Sequence, residues 1–204
     1  MPKISLERKA ERREQILSAA RRCFAEHGYE GATVVRLEKA TGLSRGAIFN
    51  YFPSKEELFV ELVTRDEARI SELWVNEGLE AVIREIREVD PNWLAVYLEL
   101  VRRVRTDGHF RARLEERYRE LIPANRARLE EARRTGELRA DISVKQLGQF
   151  LNLILNGLAV QLASGEDVPP TKLVARLLND AIGGDRSATR KSSTRRRTRR
   201  PASA

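Results

Sequence analysis

The segment that decides the fold of this chain is residues 33–58, which read TVVRLEKATGLSRGAIFNYFPSKEEL. It holds two short helical patterns, and Gly42 lies between them where the backbone must turn sharply. Leu37 and Ile48 are spaced so that the two helices pack against each other. The pattern predicts a helix-turn-helix, whose second helix is free to lie in the major groove of double-stranded DNA.

The second helix and its borders carry side chains that suit contact with DNA. Arg45 and Asn50 can form hydrogen bonds with base edges, and the Ala47 methyl group can meet a thymine methyl group. Gly46 permits a close approach, and groups near helix N-termini are well placed for phosphates. The candidate DNA-binding residues are Thr33, Ser44, Arg45, Gly46, Ala47, Asn50, Tyr51 and Lys55.

Helical periodicity continues outside this motif and predicts an all-α fold. We expect a helix-turn-helix domain at residues 1–54 and a helical ligand-binding and dimerisation domain at residues 55–182. A Ser/Thr/Arg-rich tail at residues 183–204 cannot bury a core, so we expect it to be disordered and to bind phosphates without reading bases.

Local patterns predict where helices begin and bend. The apolar series from Phe110 to Ala132 predicts one long helix with a kink at Pro123. Two Ser-x-x-Glu/Gln patterns predict capping boxes at helix starts. These pairs are Ser54 with Glu57, and Ser143 with Gln146.

The composition limits the class of protein. The formal net charge is +8, but residues 183–204 contain eight basic residues and one acidic residue, so the overall charge says little about the folded part. The single cysteine, Cys23, excludes a disulfide framework. The sequence has no apolar run that could span a membrane and no apolar leader, so we expect a cytoplasmic protein without a cofactor.

The segment from Val144 to Ala163 is apolar nearly all round and must be covered on several sides. We expect it to pack, with the helix from Thr171 to Ile182, against a second copy of the chain in a seam that contains Leu155 and Leu177. A homodimer matches a palindromic operator. The alternative is a central helix of a monomer.

Polar residues on otherwise apolar faces mark candidate contacts with a small-molecule effector. Besides the candidates named at the end of this paragraph, Arg117 and Asn125 fall on or beside such a face. Two alternatives stay open: a surface ion pair between Glu99 and Arg103, and a dimer seam that satisfies the two asparagines. The candidate effector-binding residues are Glu99, Arg103, Arg128, Asn152 and Asn156.

The run from Ser44 to Gly46, followed by Tyr51 to Leu58, resembles the signature of the TetR family of bacterial transcriptional regulators. The resemblance implies a non-enzymatic homodimeric repressor that a small molecule releases from DNA. Two residues depart from the family pattern: Phe49 replaces a frequent tyrosine, and Glu38 replaces a small residue.

Within that family, residues 21–33 and 44–49 resemble the aconitase-repressor branch of actinobacteria. This resemblance implies citrate with a divalent metal as the effector, with Glu99 and Arg128 as ligand contacts and Asp180 as a possible metal ligand. Asn50 and Tyr51 depart from this branch, where histidines are usual, and this departure allows an operator different from that of the branch.

Two other functions compete with a ligand-responsive repressor. Residues 42–46 match the G-x-S-x-G pattern of a hydrolase nucleophile elbow, with His109 further along the chain. That elbow requires a strand before the serine, and the preceding residues are predicted to be helical. The second alternative is an architectural DNA-binding protein that uses the Arg-rich tail and senses no effector.

Overall fold

The computed structural model describes residues 6–119 and 122–184, apart from the side chains of Ile122 and Ala124. These residues form ten α-helices and no strand, with one isolated bridge between Leu138 and Gly183. The predicted all-α fold is confirmed. The helices are α1 (Leu6–Gly31), α2 (Val34–Thr41), α3 (Arg45–Phe49), α4 (Lys55–Glu77), α5 (Leu79–Glu88), α6 (Pro91–Thr106), α7 (Gly108–Tyr118), α8 (Ile122–Arg134), α9 (Val144–Ala163) and α10 (Thr171–Ile182).

Pro123 does not kink a long helix, so that prediction is wrong. The chain forms two helices instead: α7 ends at Tyr118, and α8 begins at Ile122 with Pro123 as its second residue. Proline is tolerated in the first turn of a helix because the N–H group that it lacks would have no partner within the helix there.

Of the two predicted capping boxes, one forms in full. Ser143 accepts a hydrogen bond from the Gln146 N–H, and the Gln146 side chain accepts one from the Ser143 N–H. Ser54 likewise accepts a hydrogen bond from the Glu57 N–H. The Glu57 carboxylate, however, forms ion pairs with Arg113 and Arg117 of α7 instead of capping the helix.

The buried apolar side chains form two clusters, and α4 belongs to both. The first cluster centres on aromatic rings, where Phe59 of α4 contacts Phe24 of α1 and Trp93 of α6. The second joins Leu73 of α4 to α5, α8, α9 and α10. The first cluster crosses the boundary expected after residue 54, and the domain division stays a prediction.

The prediction of a disordered tail at residues 185–204 lies outside the described residues. Within the described ranges, no helix combines the length and apolar character that a membrane crossing needs.

Candidate DNA-binding interface and effector cavity

The predicted helix-turn-helix forms at α2 and α3, and its borders are set by local capping. Thr33 Oγ1 accepts from the Arg36 N–H, and Ser44 Oγ accepts from the Ala47 N–H at 3.3 Å. Gly42 ends α2 in the left-handed region at φ 67°, which glycine adopts without a steric penalty. Leu37 and Ile48 are fully buried between the helices.

The candidate DNA contacts in α3 differ in their accessibility. Arg45, Gly46 and Asn50 are exposed, whereas Ala47 and Tyr51 are half-buried. The Arg45 guanidinium lies 5.7 Å from the centre of the Phe49 ring, and Phe49 packs on the first core cluster. Thr33 and Ser44 are exposed, but their hydroxyl oxygens already accept capping hydrogen bonds.

Glu38, which departs from the family pattern, contacts the start of α3. Its carboxylate Oε1 accepts a hydrogen bond of 2.6 Å from the Arg45 N–H at the start of α3. A negative charge is favourable at a helix N-terminus, where backbone N–H groups lack partners within the helix. Glu38 therefore fixes the second helix of the motif relative to the first, a role that spacing alone did not reveal.

Lys55 is directed towards the protein. Its ammonium donates a hydrogen bond of 2.9 Å to the carbonyl oxygen of Tyr29 and lies 4.3 Å from the centre of the Tyr29 ring. Burial lowers the pKa of the Lys55 ammonium. The side chain thus joins the start of α4 to the end of α1, and its predicted contact with a DNA phosphate stays untested.

Glu99 and Arg103 do not pair with each other, so the alternative of a surface ion pair between them is wrong. Glu99 Oε2 accepts a hydrogen bond of 2.7 Å from the Tyr29 N–H. Arg103 forms ion pairs of 3.1 Å with Glu56 of α4 and with Asp107. The two side chains therefore connect α6 with α1 and α4, the helices on either side of the DNA-binding motif.

A second site is a cavity of about 1020 Å³ between α4, α8 and α9. Of the candidate effector contacts, Asn152 lines it, together with Asn125. Asn156 is exposed, and Arg128 forms an ion pair of 3.2 Å with Glu137. Neither of these residues lines the cavity. Glu99 and Arg103 instead line a separate, smaller cavity of about 300 Å³ beside Tyr29, so the structure does not bring all the candidate effector contacts together.

The residues implied as a citrate and metal site also lie apart. Asp180 is exposed on α10 and does not line the cavity, and the Glu99 carboxylate is bonded to the Tyr29 N–H. In residues 6–119 and 122–184, no group of three or more His, Cys, Asp or Glu side chains could hold a metal ion. The described residues therefore do not form a metal site by themselves.

The sequence analysis missed Glu67, which lines the cavity on the same face of α4 as Ile70, Ser71 and Trp74. The Glu67 side chain is exposed to solvent in the cavity, although many protein atoms surround it. Burial raises the pKa of the Glu67 carboxyl, and the neighbouring Asp66 carboxylate raises it further. The only sequence signal was this mixture of polar and apolar residues at helical spacing, which equally describes an ordinary helix edge.

The outer face of α9 and α10 is apolar and exposed. Leu153 is 70% exposed and Leu177 is 57% exposed. Leu155, which was expected beside Leu177 in a dimer seam, instead lines the cavity. Residues 153 and 155 point in different directions around α9, so the Leu155 side chain lies away from this outer face.

The G-x-S-x-G pattern is part of the helix-turn-helix and forms no nucleophile elbow. Ser44 follows the helix α2 and caps the helix α3, where a hydrolase would have a strand before the serine. A helix-turn-helix on an otherwise helical chain instead defines a DNA-binding regulator.

Comparison with known families agrees with this class. Residues 16–62 match the model of bacterial regulatory proteins of the tetR family, and residues 75–184 match the C-terminal model of BetI-type transcriptional repressors. The chain therefore belongs to the TetR family of transcriptional regulators, which bind DNA operators and act as dimers, and it is not an enzyme.

Curated relatives match nearly the whole chain. The chain is 42% identical to the transcriptional repressor AcnR of Corynebacterium diphtheriae, covering 89% of this chain and 97% of that protein. It is 44% identical to the transcriptional repressor Rv1474c of Mycobacterium tuberculosis, covering 87% and 95%. Among solved structures, Salmonella enterica GusR superposes with a TM-score of 0.68 at 23% identity, covering 88% and 96%, which supports the fold alone.

Proposed function

We propose that this chain is a homodimeric repressor that binds a palindromic operator, and that a small-molecule effector in the large cavity tunes this binding. The observation that carries the proposal is the path of α4. This helix begins directly after the helix-turn-helix and continues without a break to the cavity wall at Trp74. A ligand that favours one position of α4 therefore favours one position of the DNA-binding helices as well.

A half-buried polar contact beside the cavity extends this link to α1 and α6. Asp66, next to the cavity residue Glu67, accepts hydrogen bonds of 2.6 Å from Arg21 of α1 and from the Trp93 indole of α6. The Tyr97 hydroxyl donates a third hydrogen bond to it at 3.2 Å. A shift of α4 at the cavity would move these partners too, so two packing arrangements of α1, α4 and α6 could give two operator affinities.

At the DNA, we assign base reading to Arg45 and Asn50, because both side chains are exposed on the second helix of the motif. Gly46 would allow the backbone to approach the groove, since no atom lies within 4 Å of the position that a Cβ would take. Thr33, Ser44, Ala47 and Tyr51 would contribute through caps, close packing or phosphate contacts.

The dimer would form through the exposed apolar face of α9 and α10 that contains Leu153, Val160 and Leu177. A two-fold axis there would relate two recognition helices and match a palindromic operator. A repressor must reach chromosomal DNA, so we place the protein in the cytoplasm.

The architectural alternative, which relies on the tail and senses nothing, requires no cavity. The volume of about 1020 Å³ between α4, α8 and α9 supports an effector-responsive protein instead. Citrate, which the branch resemblance implies, is the first compound to test against the operator complex, with and without Mg²⁺.

The DNA-binding part of the proposal is tested by selecting duplexes from a random pool with the full chain. We expect a palindromic consensus with two half-sites about one helical turn apart. Arg45→Ala and Asn50→Ala should each lose about 1–3 kcal/mol of binding free energy on the selected duplex, and less on random DNA.

The matched control is Lys172→Ala, which removes an exposed charge from α10, far from the motif. It should bind the selected duplex as the unchanged chain does. A selection without a shared motif, or equal losses on both kinds of DNA, would contradict sequence-specific repression by α3.

A further inference from the structure

The large cavity has two chemically different ends. Helices α8 and α9 run antiparallel along it, because Arg133 donates a hydrogen bond to the Ala140 carbonyl just before α9 and Leu129 lies beside Gly148. Asn125 and Asn152 therefore share one end of the cavity. Arg133 and Lys145 share the other end.

Glu67 lies at the amide end. Ser71, one turn after Glu67, donates a hydrogen bond to Asn125. Burial raises the pKa of the Tyr118 hydroxyl at the end of α7, and the carboxylate of Glu67 raises it further. The amide end, which holds Glu67, and the end with Arg133 and Lys145 are separated by the stretch of α8 from Asn125 to Arg133. This stretch is roughly 12 Å long.

The charges at the two ends are not neutralised inside the described part of the protein. Glu67 and Lys145 have no ion pair or hydrogen bond with any described residue. The other charged groups of the lining differ in this respect. Arg126 is paired with Glu130 at 2.8 Å and Arg134 with Glu131 at 2.5 Å, while Arg133 donates to a carbonyl oxygen.

The wall between the two ends is largely apolar. Ile70 and Trp74 of α4, Leu129 of α8 and Leu151 of α9 all line the cavity. A bound molecule would bury hydrocarbon here, which is favourable in proportion to the apolar area removed from water. The wall favours an extended apolar segment over a compact polar molecule.

We propose that the effector is an elongated amphoteric molecule, with an ammonium group bound by Glu67, a carboxylate bound by Lys145, and an apolar chain between them. The inference rests on the proposed function, in which the cavity binds the effector. Both side chains are exposed to solvent in the cavity and have no ion-pair partner among the described residues, so a ligand can pair with each of them without displacing another side chain. A compact polyanion such as citrate would meet the Glu67 carboxylate and leave one end unoccupied.

The test is isothermal titration calorimetry of the full chain with three eight-carbon probes. They are ω-aminooctanoate, which has both charged groups, octanoate, which has only the carboxylate, and octylamine, which has only the ammonium. We expect ω-aminooctanoate to bind about tenfold more tightly than either of the others, because only this probe can pair with both charged side chains at once.

Two variants separate the ends. Glu67→Gln should lower the affinity for ω-aminooctanoate and octylamine about tenfold and leave the affinity for octanoate unchanged. Lys145→Gln should lower the affinity for ω-aminooctanoate and octanoate and leave the affinity for octylamine unchanged. The controls are Glu116→Gln and Lys39→Gln, which change exposed residues outside the cavity and should leave all three affinities unchanged. Circular dichroism of each variant checks the fold.

Equal affinity for the three probes, no binding of ω-aminooctanoate, or affinities that ignore Glu67 and Lys145 would overturn the inference. Citrate that binds in the cavity and releases the operator would also overturn it while supporting the proposed function. Conversely, ω-aminooctanoate that binds as expected but leaves operator affinity unchanged would uphold the ligand chemistry and contradict the effector function.

Discussion

At the scale of single residues, the charged groups around the DNA-binding motif have different partners. Arg45 is exposed and its guanidinium lies over the Phe49 ring, whereas the Lys55 ammonium is held by the Tyr29 carbonyl and ring. Proximity of a basic residue to the motif is therefore not enough to assign it to a phosphate. The partner of its nitrogen decides which role it has.

Lys55→Ala should lower the stability of the fold more than it changes DNA binding. Loss of the hydrogen bond to Tyr29 and of the contact with its ring should lower the free energy of unfolding by about 1 kcal/mol. Urea denaturation measures this change, and the salt dependence of DNA binding should stay the same. Unchanged stability together with a salt slope reduced by about one would instead identify a phosphate contact.

Glu67→Gln should make the folded protein more stable at neutral pH. The pKa of Glu67 is raised in the folded state, so the folded state holds this proton more tightly than the unfolded state. The contribution of Glu67 to the free energy of unfolding is largest below the pKa that this residue has in the unfolded chain. It is lost as the pH rises through the higher pKa of the folded state. Urea denaturation should give the variant a higher free energy of unfolding than the unchanged chain at pH 7, and an equal one in acid. A variant that is less stable at pH 7 would contradict the raised pKa.

At the scale of helices, the borders that depend on neighbouring residues could be predicted from the sequence. Gly42 and Ser143 act within four residues of their own position, and the sequence predicts both borders. Glu57 could not be predicted in the same way, because Arg113 and Arg117 compete for its carboxylate from a distant part of the chain.

The candidate site was less predictable than the helices because spacing does not show what a side chain faces. Glu99 and Arg103 have the spacing of an ion pair, but each has a partner on another helix. Glu67 has the spacing of a helix edge, but α8 and α9 enclose a cavity in front of it. Such roles depend on how helices pack, which local periodicity does not encode.

Glu99→Gln should loosen the junction between α6 and the end of α1. The Glu99 carboxylate accepts from the Tyr29 N–H directly after Gly28, where the backbone leaves the helical conformation at φ 68°. A neutral amide is a weaker acceptor than a carboxylate. Hydrogen exchange at the Tyr29 amide should become faster, while exchange within α9 stays the same; unchanged exchange at Tyr29 would show that the contact does not hold the junction.

At the scale of the whole molecule, the proposed dimer interface is the outer face of α9 and α10. Leu153→Glu and Leu177→Glu place a charge on exposed apolar positions, so each should convert the dimer into a monomer and weaken operator binding. Multi-angle light scattering measures the mass. Leu155→Glu is the informative comparison, because this residue lines the cavity and its variant should stay dimeric. A dimer in both outer-face variants would exclude this interface.

The central claim is that the cavity and the DNA-binding motif are coupled through α4. It can be tested without knowing the effector, by labelling Gly148→Cys with bimane, a fluorophore that tryptophan quenches. Gly148 and Trp74 both line the cavity, and the native Cys23 is buried, so the label should report on the cavity alone. The labelled unchanged chain controls for reaction at Cys23.

The deciding measurement is the bimane fluorescence as operator DNA is added. The coupling predicts a saturable change with the selected operator, at the concentration where the operator binds, and no such change with random DNA of equal length. Fluorescence that stays constant while the operator binds fully would contradict the account.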